Sequence, residues 1–218
     1  MFRRTSTTLF AGSVVLAMGV ATARGEIFPL SANMTNAGEP GGVTPTLTAA
    51  NGGGARPASF GTATMVLNTN DPDPANWFMT FTAEVNNIDF TGTQTADTND
   101  NLSNAHIHAS DTVTPTTNAG VVWGFIGAPQ NTADDVVVTP FATGVGGTVT
   151  ATWDAPEGNN TTLGAQIARL TSVHAYVNFH TTQFPGGEIR GMIVPEPSAA
   201  AALLAFGCVG LVRRRRRS

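Results

Sequence analysis

Residues 173–194, VHAYVNFHTTQFPGGEIRGMIV, alternate apolar and polar residues on either side of a Gly/Pro turn. In the first half Val173, Ala175, Val177 and Phe179 fall on one side, and His174, Tyr176, Asn178 and His180 on the other. In the second half Ile189, Gly191 and Ile193 share a side opposite Glu188, Arg190 and Met192. A period of two belongs to strands with one buried face. Between the halves, Phe184-Pro185-Gly186-Gly187 supplies both the fixed and the free φ angles that a reversal needs. The stretch therefore predicts a β-hairpin with an apolar inner face and a polar outer one. Two of the chain's four histidines lie on that polar side, and the other two, His106 and His108, lie on a second alternating run at 105–109.

Working outward from the hairpin, the same pattern recurs. A first edge strand is expected at 27–30. Strands follow at 61–68, with Ala63, Met65 and Leu67 inward, and at 77–85, with Trp77, Met79, Phe81, Ala83 and Val85 inward. At 105–109, Ala105, Ile107 and Ala109 point in and His106 and His108 out. Residues 120–126, GVVWGFI, are the most continuously apolar run and read as a central strand. Segments 135–139 and 147–154 add two more, the latter with Val149, Ala151 and Trp153 on one side. Leu163, Ile167 and Leu170 recur at helical spacing and predict one short helix over 163–170. About eight or nine short strands with turn signals between them imply an all-β sandwich or barrel.

Composition agrees. The chain has 218 residues with 24 glycines, 13 prolines, 12% charged residues and no lysine. That mixture favours strands and turns over long surface helices. The net charge of −4 conceals an asymmetry. All fifteen acidic residues lie between Glu26 and Glu196, where only Arg56, Arg169 and Arg190 oppose them, so this body carries −12. Such a body repels nucleic acid and anionic membrane surfaces, which excludes nucleic acid as a partner class. The single cysteine, Cys208, lies outside the body, so stability there comes from packing or bound ions rather than disulfides.

Both ends differ in kind from the body at 26–194. Residues 1–25 read as a signal peptide, with Arg3 and Arg4, an apolar run at 9–20, and a small-residue cleavage site ending at Ala23 or Gly25. At the other end, Pro195-Glu196-Pro197 breaks regular structure, 199–212 is an apolar transmembrane helix, and five arginines precede Ser218. The basic cluster stays cytoplasmic, which leaves the acidic body outside.

The tail at 195–218 resembles a PEP-CTERM sorting signal: the Pro195-Glu196-Pro197 triplet, a short apolar helix and an arginine run, in order. That resemblance implies a bacterial protein, an exosortase-type transpeptidase as partner at the inner membrane, and transfer of the body to the cell surface or extracellular matrix. The body resembles the CHRD domain, named after chordin and found in many exported bacterial proteins. The matching residues are Ala105-His106-Ile107-His108, Gly120-Val121-Val122, Tyr176-Val177-Asn178-Phe179-His180-Thr181 and the run from Phe184 to Gly191. The resemblance covers roughly 40–194 and departs at Ala37-Gly38-Glu39-Pro40, which only approximates the family's Gly-Glu-x-Pro-Pro stretch. It implies an immunoglobulin-like Greek-key barrel related to copper/zinc superoxide dismutase, with no established activity.

Two readings of the histidines follow. His106-x-His108 places two imidazoles about 6.6–7 Å apart along one strand face. Joined by His180 and His174, they form a candidate site for copper or zinc. Alternatively, the histidines join Asn178, Glu188 and Arg190 in a hydrogen-bonded polar face, with Arg190 pairing with Glu188 or another acid. Asp97, Asn99, Asp100 and Asn101 have part of the spacing of a calcium loop but lack its glycine and terminal glutamate. Asx turns are the competing explanation. No activated nucleophile, carboxylate pair or phosphate-binding glycine loop is present, so no catalytic residue is assigned. The expected function is a non-enzymatic, surface- or matrix-attached domain with an adhesive or structural role toward extracellular polysaccharide or surface proteins. The alternative is a copper- or zinc-binding protein with weak redox activity.

Overall fold

The structure, a computed structural model, describes residues 25–131 and 135–197. Three long strands, β1 (Ile27–Thr35), β2 (Phe60–Asn68) and β3 (Phe78–Asn86), pair in sequence with unbroken nine-residue registers. Then come β4 (Leu102–Ala109), β5 (Val121–Ile126), β6 (Val137–Pro140), β7 (Gly146–Asp154), α1 (Leu163–Leu170), β8 (Ala175–Thr181), β9 (Ile189–Met192) and β10 (Val194–Pro195). Nine strands form one antiparallel sheet in the order β5-β4-β8-β9-β1-β2-β3-β7-β6, and β10 pairs with β1 off that path.

The sheet curls until its inner face meets itself. Trp123 of β5 stacks on Trp153 of β7 with ring centroids 5.3 Å apart, and Phe81 of β3 reaches Phe125 of β5 at 4.6 Å. The core is continuous across this contact and includes Leu30, Met65, Phe81, Ile107, Trp123, Val149, Val177 and Ile189. An all-β fold with the expected number of strands is thus observed, as one curled sheet.

Burial in β2 and β3 alternates strictly, as their sequences predict. The helix occupies 163–170 as expected, capped by the Thr162 hydroxyl, with Leu163 and Leu170 buried.

Several expectations need correction. β1 is no edge strand: it runs to Thr35 and lies between β2 and β9. The apolar run at 120–126 is not central but ends the sheet as β5. It is apolar because Trp123 and Phe125 fill the core while its other side is covered by the chain around Pro129. Trp77 precedes β3 and is only half-buried, its indole N–H donating to the Asp71 carbonyl at 2.9 Å. Val173 lies outside β8, partly exposed at φ 63°, a strained conformation for a β-branched residue.

The predicted signal segment lies outside the described residues apart from Gly25, as does the predicted helix at 199–212. Among the described residues no helix is long and apolar enough to cross a membrane. The Pro195-Glu196-Pro197 triplet is docked on β1: Leu30 pairs with Pro195, Ser31 with Val194, and the Glu196 N–H donates to the Pro29 carbonyl at 2.9 Å. The Ser31 hydroxyl closes on the Glu196 carboxylate.

The loop at 89–101 spends Asp89 and Asp97 on protein hydrogen bonds. Asp97 accepts from Thr48, Asn51 and Asn99, and Asp89 from Thr91, Gly92 and Thr95. Burial works to raise the Asp97 carboxyl, but the donors from Asn51, Asn99 and Thr48 hold it down at about 2. The bonds from Asn99 to Asp97 and from Thr91 to Asp89 are Asx turns, and those from Thr48 and Asn51 to Asp97 tie the loop to residues 48–51.

Candidate metal centre

Strand β8 pairs with β4 on one side and β9 on the other, so one row across the sheet reads His106, Asn178, Arg190 and the next reads His108, Tyr176, Met192. His180 lies one row further along, opposite Asn104. Their side chains share the face that the sequence marks as polar and outer. That face is not solvated. Every residue of β8 is buried, and His106, His108 and His180 are 4%, 8% and 5% exposed.

Three connections cover it. The segment at 110–119 receives the Arg190 guanidinium, which donates to the carbonyls of Thr114 and Thr117 and to Asn118 Oδ1 at 2.7–3.2 Å. The segment at 36–59 brings in Glu39 and Arg56. The hairpin turn at 182–187 folds back over His180. Gly187, at φ +131°, has no room for a Cβ, which would strike Glu39 Oε1 and the Asn178 amide. Gly124 faces His106 in register, and a Cβ there would press on its ring and on the Pro129 carbonyl.

Within this covered layer His106, His108 and His180 converge. One ring nitrogen from each lies within 4.8 Å of the others, and His106 Nδ1 is 3.3 Å from His180 Nε2. The backbone fixes two tautomers: His108 donates Nδ1–H to the Ala119 carbonyl at 2.9 Å, and His180 donates Nδ1–H to the Pro185 carbonyl at 3.0 Å. Both rings therefore turn an unprotonated Nε2 inward. His108 Nε2 is buried without a hydrogen-bond partner among the described residues. Carbonyls in this role behind ligating imidazoles orient them and raise their basicity.

All three imidazoles are held neutral. Burial pushes His106 down to about 4, helped by His180 and His108, while the Ala128 carbonyl, short of hydrogen-bond geometry, works the other way. Burial also takes His108 down to about 4, against the Ala119 carbonyl and with the help of His180 and Arg190. Burial lowers His180 too, with Pro185 opposing. The contact between His106 and His180 is a hydrogen bond when His106 carries its proton on Nδ1. With that proton on Nε2, the same contact becomes two donor atoms of a metal site.

His174 is not among them. It lies before β8, in contact with the Ser172 hydroxyl through Nδ1, because the chain turns at Val173 before entering the sheet. Arg190 does not pair with Glu188. Its carbon Cζ sits 3.5 Å above the Tyr176 ring centre, whose opposite face stacks on His108 at 4.7 Å and 4°. Strand order β4-β8-β9 makes Tyr176 the middle layer of this stack, so an aromatic ring separates the cation from the histidines. Glu188 is instead fully buried against Arg56, Ser59 and Thr181.

Two participants escaped the sequence reading. Arg56 is one of only three arginines in the body, and the scarcity of cations among fifteen acids was the available signal. Glu39 is buried beside Asn178 and Gly187, and burial raises it to about 7 although Arg190 and the Asn178 amide pull it down. Its signal was the Gly38-Glu39-Pro40 stretch.

Comparison with curated proteins finds no match, and neither does comparison with solved structures. The CHRD domain matches residues 30–193, which takes in every strand from β1 to β9 apart from the first residues of β1, together with all three converging histidines. The chain belongs to the CHRD-domain family.

Proposed function

We propose that this CHRD domain binds one transition-metal ion, copper or zinc, through His106, His108 and His180. The observation that carries the reading is the convergence of three neutral imidazole nitrogens within 4.8 Å, two of them fixed by backbone carbonyls behind them. With metal–nitrogen bonds near 2.0–2.1 Å, donors around one ion stand about 3.3–3.5 Å apart. The pair His106–His180 already meets that spacing at 3.3 Å. The alternative sequence reading, a purely hydrogen-bonded polar face, leaves His108 Nε2 buried without a partner among the described residues. His174 is not part of the proposed set.

The setting of that activity is also a proposal. The signal-like residues 1–25 and the tail from Pro195 support export, sorting by an exosortase-type transpeptidase, and attachment of the acidic body to the surface or extracellular polymer. There the domain serves a structural or adhesive role rather than an enzymatic one. Kinship with the Greek-key barrel of superoxide dismutase belongs to the same proposal, supported by the curled antiparallel sheet and the paired histidines on β4.

The test is metal analysis of the purified protein after exposure to each ion and desalting. One equivalent is expected in the parent and none in His108→Ala or His180→Gln. Equal metal in parent and variants would place any ion elsewhere. Antibody labelling of intact cells tests the setting, and a body inaccessible from outside would refute export.

A further inference from the structure

We propose that the ion this site is built to hold is monovalent copper, in preference to zinc or divalent copper. The inference rests on the metal-binding reading above and concerns the charge and coordination number that the surroundings accept. All three donors are neutral. The group of converging metal-ligating side chains contains His106, His108 and His180 and no carboxylate or thiolate. Neither of the buried acids Glu39 and Glu188 belongs to that group. Glu188 is taken up by Arg56, Ser59 and Thr181, and Glu39 sits beside Asn178 and Gly187.

The cation behind the site disfavours a divalent ion, and Glu39, whose charge would oppose it, is itself raised by burial to about 7. Arg190 is 1% exposed and stacked on the far face of Tyr176, whose near face carries His108. Burying an ion costs free energy that rises with the square of its charge, so a +2 ion among neutral ligands is penalised about fourfold more than a +1 ion. Repulsion from the guanidinium doubles as well. Neither cost is offset by an anionic ligand.

Coordination number points the same way. Zinc takes four ligands in nearly all sites, so three imidazoles leave a position that water or an anion must fill. Monovalent copper, with a filled d shell, is stable with three nitrogen donors in a plane. The site is covered: His106, His108 and His180 are 4%, 8% and 5% exposed, and His108 Nε2 has essentially no solvent contact. Three neutral donors beneath three covering connections define a buried, low-charge site.

The experiment is competition between the full-length purified protein and a chromophoric copper(I) chelator, without oxygen, alongside zinc(II) and copper(II) titrations. One copper(I) per chain is expected, bound at least ~10-fold more tightly than zinc(II). His180→Gln should weaken copper(I) at least ~100-fold. Arg190→Gln, checked for native circular dichroism, should narrow the preference for copper(I) over zinc(II) while leaving the stoichiometry at one. Equal or tighter binding of zinc(II) or copper(II), with loss in His180→Gln, would overturn the monovalent assignment and leave the metal site standing. A preference unmoved by a folded Arg190→Gln would remove the electrostatic argument, and no binding of any ion would remove both the assignment and the reading beneath it.

Discussion

The two flanks of the curled sheet solve the same problem differently. Along β2 and β3, Ala63, Met65, Leu67, Met79, Phe81, Ala83 and Val85 face the core, and the threonines and Glu84 face outward together with Phe60 and Val66, so one face is buried and the other is exposed. Along β4, β8 and β9, polarity alternates just as regularly, yet both faces are buried. The first flank has water on its polar side, while the second has three connections laid over it. Alternation therefore reports which side is apolar, and whether the other side is wet depends on what the loops do.

The sharpest way to break that contrast is to compare one carboxylate from each flank. Glu188 is fully buried and paired with Arg56, whereas Glu84 is exposed on β3. Removing one partner of a buried pair costs about 3–5 kcal/mol. Surface changes cost at most about 0.5 kcal/mol. Glu188→Ala should therefore lower stability by about 3–5 kcal/mol and Glu84→Ala by no more than about 0.5 kcal/mol in urea unfolding. Similar losses in the two would mean that the covered face is not sealed.

A hydroxyl gives the next largest effect. Tyr176 accepts the Ala119 N–H at 3.2 Å inside the covered layer. Tyr176→Phe should cost about 1–3 kcal/mol, because the donor loses its partner. Thr82→Ala on the exposed face of β3 should change stability by no more than about 0.5 kcal/mol. The same unfolding measurement decides, and a neutral Tyr176→Phe would place water at that hydroxyl.

Acidity gives the smallest and most diagnostic signal. His106 and His108 sit at about 4 in the folded chain against an ordinary 6.5. Between those values the unfolded chain holds more protons, so their stability is fully present above 6.5 and is lost as pH falls toward 4. Glu39 runs oppositely. Raised from 4.5 to about 7, it stabilises below 4.5 and loses that contribution as pH rises through 7. The melting temperature of metal-free protein should fall on acidification from 6.5 to 4, more steeply than in His106→Asn. Glu39→Gln should remove the decline toward alkaline pH. Parallel profiles in all three proteins would show that these groups are solvated.

Much of this was legible in the sequence, for reasons that particular residues make plain. Ala63, Met65 and Leu67 announce β2 because a nine-residue register needs nothing but period two. The helix from Leu163 declares itself by the spacing of Leu163, Ile167 and Leu170. His106, His108 and His180 stood out by residue type, and pairing of β4 with β8 brings them together. What could not be read came from connections without periodicity. Nothing local says that Thr114 and Thr117 offer carbonyls to Arg190, or that Arg56 crosses to Glu188. His174 misled because alternation continues through Val173 while the backbone does not. Residues 120–126 misled because an edge strand closed over by a curl is as apolar as a central one.

The docking of β10 on β1 also has a mechanical consequence. Any pull transmitted through the chain beyond Pro197 enters the fold at the two residue pairs Leu30–Pro195 and Ser31–Val194. So short a ladder peels one bond at a time, while the nine-pair ladder between β1 and β2 beside it shares any load among many. Under such a pull the segment would act as a fuse, giving way and lengthening the chain by a few residues before strain reached β9 and the layer that holds the histidines.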